Sequence, residues 1–283
     1  MRILVFDSGL GGLSVFRPIT RQLPDAQMVY AADNAGFPYG RWSEDELAER
    51  ITALMGALID AVQPDIGVIA CNTASTIVLR RLRKTYAIPF VGTVPAIKVA
   101  AGMSRSRCFS VLATPGTVTR VYTKELVERF APDCRVKLVG VRGLAGLVEA
   151  KLRGVRVERD HLASLVAPAF VSDGERRTDT IVLACTHYPL LMDELEAAAP
   201  WPVHFIDPGP AIARQVSRVA GALEKKGAGQ GEGKDLASPK IVFTADIGPG
   251  EDLKSSLEAY GFSLPPQILP GWRRDRGFDG ISG

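Results

Sequence analysis

Short apolar segments alternate along the chain with longer segments that have helical character. This alternation predicts an α/β protein with mostly parallel sheets. The predicted strands cover residues 2–6, 27–32, 66–70, 109–113, 135–140, 180–184, 203–206 and 241–244.

The predicted helices fill the intervals between these strands, and two of them begin at clear start signals. The sequence of residues 43–46 is a capping box that opens a helix to about residue 62. Thr114 and Pro115 suit the N-cap and first position of a helix to about residue 130. Other helices are expected to about residue 22, after residue 95, over 143–153, over 158–171 unless Pro168 shortens it, and after residue 207.

Two segments share one pattern, an apolar run followed by Ala-Cys and hydrogen-bonding residues. One ends at Cys71 with its flanking Asn72 and Thr73, and the other ends at Cys185. Each is predicted to be a buried parallel strand that leads into a helix. Open α/β sheets bind ligands at this end of their strands, where helix N-termini favour a thiolate and bind carboxylates.

Either cysteine alone would be interpreted as a small buried hydrophobic residue. The matching contexts of Cys71 and Cys185 favour function for the pair, whereas Cys108 and Cys134 lack such a context and are interpreted as structural. Two equivalent halves that face one cleft would bring the two thiols to opposite sides of one small molecule. That arrangement suits the movement of a proton from one face of a carbon atom to the other.

Three more residues have alternative interpretations. Asp7 opens a glycine-rich turn that is not a dinucleotide motif, because Ser14 stands at its third glycine position. Asp7 is either a helix cap or a cleft residue, and its place at the end of the first strand favours the cleft. His187 is either a surface residue or the partner of a Cys185 thiolate. Glu149, by its spacing alone, is a solvent-facing carboxylate.

The composition excludes several classes of protein. The 283-residue chain is 46% hydrophobic and 23% charged, as expected for a soluble globular protein. Its net charge is +3 with scattered basic residues, which argues against a nucleic-acid partner. No apolar run approaches the roughly 18 residues of a membrane helix, and the chain opens on a strand rather than a signal peptide. We therefore expect a cytoplasmic protein with no membrane partner, and the cysteine pattern predicts neither disulfides nor a zinc site.

Four blocks of the sequence, residues 6–12, 38–40, 70–74 and 184–189, resemble the glutamate racemases, a family of the cofactor-independent aspartate/glutamate racemase superfamily. Weaker similarity continues through residues 206–208 and 243–246. The resemblance implies two similar α/β domains related by pseudo-twofold symmetry, with the active site in the cleft between them. It also implies interconversion of L- and D-glutamate for peptidoglycan synthesis, a homodimer, and no pyridoxal phosphate or metal.

The resemblance also implies roles for particular residues. Cys71 matches the residue that acts on the D-enantiomer, and Cys185 matches the one that acts on the L-enantiomer. Asp7 matches the acid paired with the first thiol, while His187 and Glu149 match the groups that assist the second. The implied substrate-binding residues are Asp7, Ser8, Tyr39, Gly40, Asn72, Thr73, Thr117, Thr186 and His187.

The domain organisation and the exact reaction remain predictions at this point. We expect residues 1–95 with 208–265 to form a discontinuous first domain, 96–207 a second domain, and 266–283 a C-terminal arm or tail. Residues 227–233 have the composition of a flexible surface loop. Three alternatives stay open: a racemase of another acid such as aspartate, a hydrolase with one nucleophilic cysteine and His187 as its base, and a non-catalytic binding module.

Overall fold

The computed structural model describes residues 1–225, 238–246 and 250–269, so the predicted loop over 227–233 lies outside the described residues. Within these ranges, six strands form one sheet in the order β10-β9-β2-β1-β3-β4. These strands are β1 (Arg2–Asp7), β2 (Gln27–Ala32), β3 (Ile66–Ile69), β4 (Phe90–Gly92), β9 (Lys240–Phe243) and β10 (Gln267–Ile268).

A second sheet has four strands in the order β6-β5-β7-β8. They are β5 (Cys108–Ala113), β6 (Arg135–Gly140), β7 (Thr180–Leu183) and β8 (His204–Ile206). All neighbouring strands in both sheets are parallel, as the sequence predicts. The order β2-β1-β3-β4 of the first sheet is repeated as β6-β5-β7-β8 in the second, so Cys71 and Cys185 each follow the third strand of an equivalent unit.

Helices connect the strands of both sheets. In the described part of the chain none of them is long and apolar enough to span a bilayer. The helices are α1 (Leu13–Gln22), α2 (Glu44–Val62), α3 (Asn72–Thr85), α4 (Ile97–Met103), α5 (Pro115–Val118), α6 (Val121–Phe130), α7 (Leu144–Lys151), α8 (Arg159–Val166), α9 (Met192–Ala198), α10 (Gly209–Glu224) and α11 (Glu251–Glu258).

Apolar side chains cover both faces of each sheet. Alternate residues of β1 enter two different clusters, Ile3 in one and Leu4 in the other. In the second sheet, Leu112 and Phe109 are likewise divided between two clusters. Because both faces of each sheet are buried against helices, the loops at the carboxyl ends of the strands are the places where polar side chains converge.

Most of the predicted helices are confirmed, but the helix predicted from Pro115 to about residue 130 is wrong. Two helices occupy this segment, because Arg120 has an extended backbone (φ −68°, ψ 139°) that interrupts the helical path. The capping box of α2 is confirmed by reciprocal hydrogen bonds between Ser43 and Glu46. The shortening at Pro168 is also confirmed, since α8 ends at Val166 and a single 3-10 turn follows.

The chain beyond Cys185 also differs from the prediction of a helix N-terminus directly after the cysteine. A 3-10 helix, Tyr188–Leu191, contains Pro189 and precedes α9, so the polar segment between β7 and α9 is compact rather than α-helical. Near the C-terminus, Gln267–Ile268 lies within the predicted arm or tail, yet it pairs with β9 as a strand of the first sheet.

Candidate active site

A narrow cavity lies where loops that follow strands of the two sheets meet. Its volume is about 30 Å³. The lining residues that follow strands of the first sheet are Ser8, Phe37, Pro38, Tyr39, Gly40, Cys71, Asn72 and Thr73. Those contributed by the second-sheet segments are Thr114, Ala145, Ala184, Cys185, Thr186 and His187.

Cys71 lies at the point where β3 ends and α3 begins, as the N-cap residue of that helix. Its side chain is buried, and its Sγ lies 3.9 Å from Oγ of Ser8. Burial and the negative charge of Asp7 raise the pKa of the Cys71 thiol, and they outweigh the hydrogen bonds from the Ala74 backbone and Ser8, which lower it. The environment of the free protein therefore favours the neutral thiol at this position.

Cys185 has a different environment, because a histidine lies beside it. Its Sγ is 3.8 Å from Nδ1 of His187, and both residues are buried. Burial lowers the pKa of His187, but hydrogen bonds and charge interactions with Cys185 and Glu149 raise it well above its ordinary value. A histidine beside a sulfur atom can exchange a proton with it, so this pair suits proton transfer at Cys185.

Glu149 is not the solvent-facing carboxylate that its spacing alone predicts. Its side chain is 13% exposed, and Oε1 lies 3.0 Å from Nε2 of His187. The backbone N–H of Leu10 donates to the same oxygen at 2.6 Å, and Arg153 donates to Oε2 at 2.8 Å. Burial opposes ionisation, but the bonds to His187, Arg153 and Leu10 lower the pKa of Glu149 to about 2. A chain of hydrogen-bonded groups therefore begins at the thiol of Cys185 and continues through His187 and Glu149 to Arg153.

Asp7 is fully buried at the end of β1 and does not cap α1, whose N-cap residue is Gly12. Oδ1 accepts a hydrogen bond from the Thr186 hydroxyl at 3.1 Å, and Oδ2 accepts one from the Gly9 backbone at 3.2 Å. Burial raises the pKa of Asp7, while the charge of His187 and these bonds lower it. Asp7, whose charge acts on the Cys71 thiol, is thus bonded to Thr186, which follows β7 of the second sheet.

The glycine-rich turn after β1 makes room for the histidine–glutamate pair. A Cβ atom on Gly9 would collide with the Glu149 carboxylate, and one on Gly11 would collide with the ring of His187. The absence of side chains at these two positions therefore lets the second-sheet residues approach the turn closely. Ser14 is the residue that breaks the dinucleotide pattern. Its hydroxyl donates a hydrogen bond to the carbonyl oxygen of Thr186 at 2.7 Å.

Polar groups around the two thiols include an unpaired amide. Nδ2 and Oδ1 of Asn72 are buried and have no hydrogen-bond partner among the described residues, so the amide can bind a ligand in the cavity. The hydroxyl of Thr73 lies 3.3 Å from those of both Thr114 and Thr117. Thr117 is therefore placed behind the cavity wall, in contact with Thr73 rather than in the wall itself.

The residues that hold Tyr39 are not among those predicted from the sequence. The Tyr39 hydroxyl donates to Oδ2 of Asp33 at 2.7 Å, and Arg50 binds both oxygens of Asp33 at 2.6 and 2.7 Å. One signal was present, because Arg50 falls on the apolar face of α2 together with Leu47 and Leu54.

Nine of the twelve residues predicted for the site line the cavity. The other three, Asp7, Thr117 and Glu149, hydrogen-bond to residues that line it: Thr186, Thr73 and His187.

Comparison with known proteins identifies the family of the chain. The family model described as Asp/Glu/hydantoin racemase matches residues 3–216. The chain belongs to the Asp/Glu/hydantoin racemase family, and it is an enzyme of the racemase class, an isomerase. It is 54% identical over 215 residues to a Brucella ovis protein named glutamate racemase, covering 76% of this chain and 78% of that protein. A Brucella anthropi protein of the same name is 55% identical over 214 residues, covering 75% and 77% of the two chains.

Solved structures show the same two-sheet fold. The glutamate racemase of Escherichia coli, crystallised with L-glutamate and the activator UDP-MurNAc-Ala, superposes with a TM-score of 0.85 at 40% identity over 95% of this chain and 97% of that chain. The isoform RacE1 of Bacillus anthracis glutamate racemase gives a TM-score of 0.76 at 27% identity, with the same coverage of 95% and 97%.

Proposed function

We propose that this racemase interconverts L- and D-glutamate without a cofactor and supplies D-glutamate for peptidoglycan synthesis in the cytoplasm. One observation supports it most: two thiols at equivalent strand ends line a single small cavity, in a chain 54% identical to a protein named glutamate racemase. Cys71 and Cys185 would act from opposite faces of the α-carbon. The name of the relatives, rather than the thiols, selects glutamate over aspartate.

The proposed reaction transfers protons between the substrate and the two sulfur atoms. One thiolate removes the weakly acidic α-proton while the opposite thiol delivers a proton to the other face. Each cysteine is therefore a base in one direction and an acid in the other. By the family resemblance, Cys71 is the base for D-glutamate and Cys185 is the base for L-glutamate.

The two thiols would be activated differently. His187, held by Glu149, lies beside the sulfur of Cys185 and would exchange a proton with it. At Cys71 the Ser8 hydroxyl lies beside the sulfur, whereas Asp7 opposes ionisation of the thiol. The substrate's own ammonium group would bring a positive charge near Asp7, which lowers the cost of a thiolate at Cys71.

The polar lining would hold the substrate while negative charge develops on its carboxylate. Asn72, Thr73, Thr186 and Ser8 offer amide and hydroxyl groups beside the two sulfurs. Tyr39 begins a 3-10 helix, and the first backbone N–H groups of a helix, here those of Tyr39 and Gly40, have no partner within it. These two N–H groups suit the distal carboxylate, and fixed donors in a cavity with little water stabilise the intermediate.

The larger organisation belongs to the same proposal. One domain would consist of residues 1–95 and 208–265, and the other of residues 96–207. All strands of the first sheet except β10 lie within 1–95 and 208–265. The family resemblance supports a homodimer. Light scattering coupled to gel filtration would test the dimer, and a mass of one 30.4 kDa chain at working concentrations would contradict it.

The decisive experiment incubates purified protein, treated with a chelator, with L-glutamate in heavy water. We expect deuterium at the α-carbon and loss of optical rotation, and the same end point from D-glutamate. L- and D-aspartate serve as the matched substrates, and faster racemisation of aspartate would reassign the substrate. Binding of glutamate without α-proton exchange would contradict racemisation, and a covalent acyl-enzyme without exchange would favour a hydrolase.

A further inference from the structure

We infer that Arg50 is a positioning residue for the racemase reaction: through Asp33 it fixes Tyr39 and the loop of residues 34–42 that forms one wall of the cavity. The inference rests on the proposed function for its substrate, but the arrangement that supports it is independent of the substrate.

Asp33 and Arg50 form a buried ion pair beside the cavity. Asp33 is fully buried and the Arg50 side chain is 8% exposed. The guanidinium binds in a two-pronged geometry, with Nε 2.7 Å from Oδ2 and the terminal nitrogen 2.6 Å from Oδ1. Thr244 donates to Oδ1 at 2.7 Å and Tyr39 donates to Oδ2 at 2.7 Å, so four donors hold this carboxylate in one orientation.

The loop between β2 and α2 is folded around this pair. The indole Nε1 of Trp42 donates to the carbonyl oxygen of Gly36 at 2.8 Å, and its ring lies 5.4 Å from the Arg50 guanidinium. A Cβ on Gly36 would lie 2.6 Å from Oδ2 of Asp33 and 2.7 Å from Nε of Arg50. The backbone therefore passes directly against the ion pair, and the Tyr39 and Gly40 N–H groups depend on it for their position.

Tyr39 is the link between the ion pair and the cavity. Its hydroxyl donates a hydrogen bond to Oδ2 of Asp33. If the ring rotated away, this buried carboxylate oxygen would lose one of its donors, which is unfavourable. Arg50 is needed for the same reason, because a buried carboxylate without its cation is strongly unfavourable. Lysine would keep the charge but lose the planar fork that fixes both oxygens.

The test compares Arg50→Lys, Tyr39→Phe and the double variant in the full-length protein. We expect each single change to raise KM for both glutamate enantiomers about tenfold, with kcat altered less than about threefold, because the wall contacts parts of the substrate common to both enantiomers. The double variant should raise KM by far less than about a hundredfold, since the two residues act through one linkage.

Arg2→Met is the matched control. Arg2 lies at the opposite end of β1 and its guanidinium also makes several hydrogen bonds, to Val62 and Gln27. The Arg2→Met change should lower the melting temperature and leave KM for glutamate unchanged.

Hydrogen exchange of the backbone gives a readout that requires no activity. In Arg50→Lys, the amides of residues 34–42 should exchange faster than in the parent protein, while those of β1 and β3 do not change. Unchanged KM with a lowered melting temperature, or multiplicative KM increases in the double variant, would overturn the inference. If the parent protein does not racemise glutamate, the proposed function fails by that result alone, and unaltered exchange of residues 34–42 would still reject the role of Arg50.

Discussion

The carboxylate of Glu149 accepts a 2.6 Å hydrogen bond from the backbone N–H of Leu10. Leu10 lies in the turn after β1 of the first sheet, whereas Glu149 lies on α7, whose apolar residues pack with the second sheet. One carboxylate therefore connects the two sheet layers and at the same time holds His187 beside Cys185.

This linkage predicts a specific dependence of stability on pH. The pKa of Glu149 is lowered from 4.5 to about 2, so its contribution is complete above pH 4.5 and is lost as the pH falls through about 2. The shift corresponds to about 3 kcal/mol. The pKa of His187 is raised above 6.5, so its contribution is complete below pH 6.5 and is lost as the pH rises through its value in the folded protein. The pair should stabilise the protein most between pH 4.5 and 6.5.

Urea unfolding from pH 2 to 9 measures this profile, with Glu149→Gln as the variant. We expect the free energy of unfolding of Glu149→Gln to be lower near pH 5.5 and to change less between pH 4.5 and 2 than that of the parent protein. Parallel curves for the two proteins would show that Glu149 is not the group responsible.

Replacement of either active-site thiol should separate catalysis from folding. In the proposed two-base mechanism, Cys71→Ala and Cys185→Ala each remove one of two proton carriers. Racemisation in both directions should therefore fall below detection, while circular dichroism and melting temperature stay close to those of the parent. Cys134→Ser is the control, because Cys134 is half-buried outside the cavity. Racemisation by Cys71→Ala at the parental rate would refute the two-base scheme.

The glycine turn offers a steric test of the histidine's position. Gly11→Ala would force the His187 ring to move, and we expect kcat/KM to fall at least about a hundredfold, since small displacements of catalytic groups have effects of this size. Gly102→Ala, on α4 in open space, should keep full activity and gain up to about 1 kcal/mol in stability. Equal activity of the two variants would mean that His187 is not required where it lies.

The hydroxyl cluster of Thr73, Thr114 and Thr117 should contribute a smaller effect. Thr117→Val preserves shape but removes a hydroxyl that lies 3.3 Å from Thr73 and 3.0 Å from Thr114. Loss of about 1 kcal/mol of hydrogen bonding predicts a fall of about fivefold in kcat/KM. Thr76→Val is the matched control, since its hydroxyl bonds only the Thr73 carbonyl within α3, and it should leave kcat/KM unchanged. A larger loss in the control would argue for a general effect on α3.

Residues whose role depends on local sequence were predictable, and residues whose role depends on distant partners were not. The context of Cys71 and Cys185 is local, because an apolar run that ends on a cysteine places the thiol at a strand end. Spacing alone placed Glu149 in solvent, and only the family resemblance marked it as a site residue, because nothing near it in sequence reveals the Leu10 N–H, which is 139 residues away. Arg50 shows the intermediate case, since its place on the apolar face of α2 marks it as buried but does not identify Asp33 as its partner.

The division of the segment after Thr114 into two helices has a similar origin. Local propensity favours one continuous helix, whereas the structure uses Arg120 in an extended conformation and ties Thr123 to the carbonyl oxygen of Thr117 at 2.7 Å. This interruption leaves Thr117 in a short turn where its hydroxyl reaches Thr73 on the other sheet's helix. Tertiary contacts therefore override helix propensity at this point.

The cavity between Cys71 and Cys185 is narrow, and hydrogen bonds join its two sides. A substrate that needs more room than this cavity gives would have to move its two sides apart. The cross-sheet bonds of Leu10, Thr186 and Thr73 would break and re-form at every turnover. Their combined strength would then lower the rates of substrate binding and product release. A variant with weaker cross-sheet bonds would release product faster, even if its chemical step is slower.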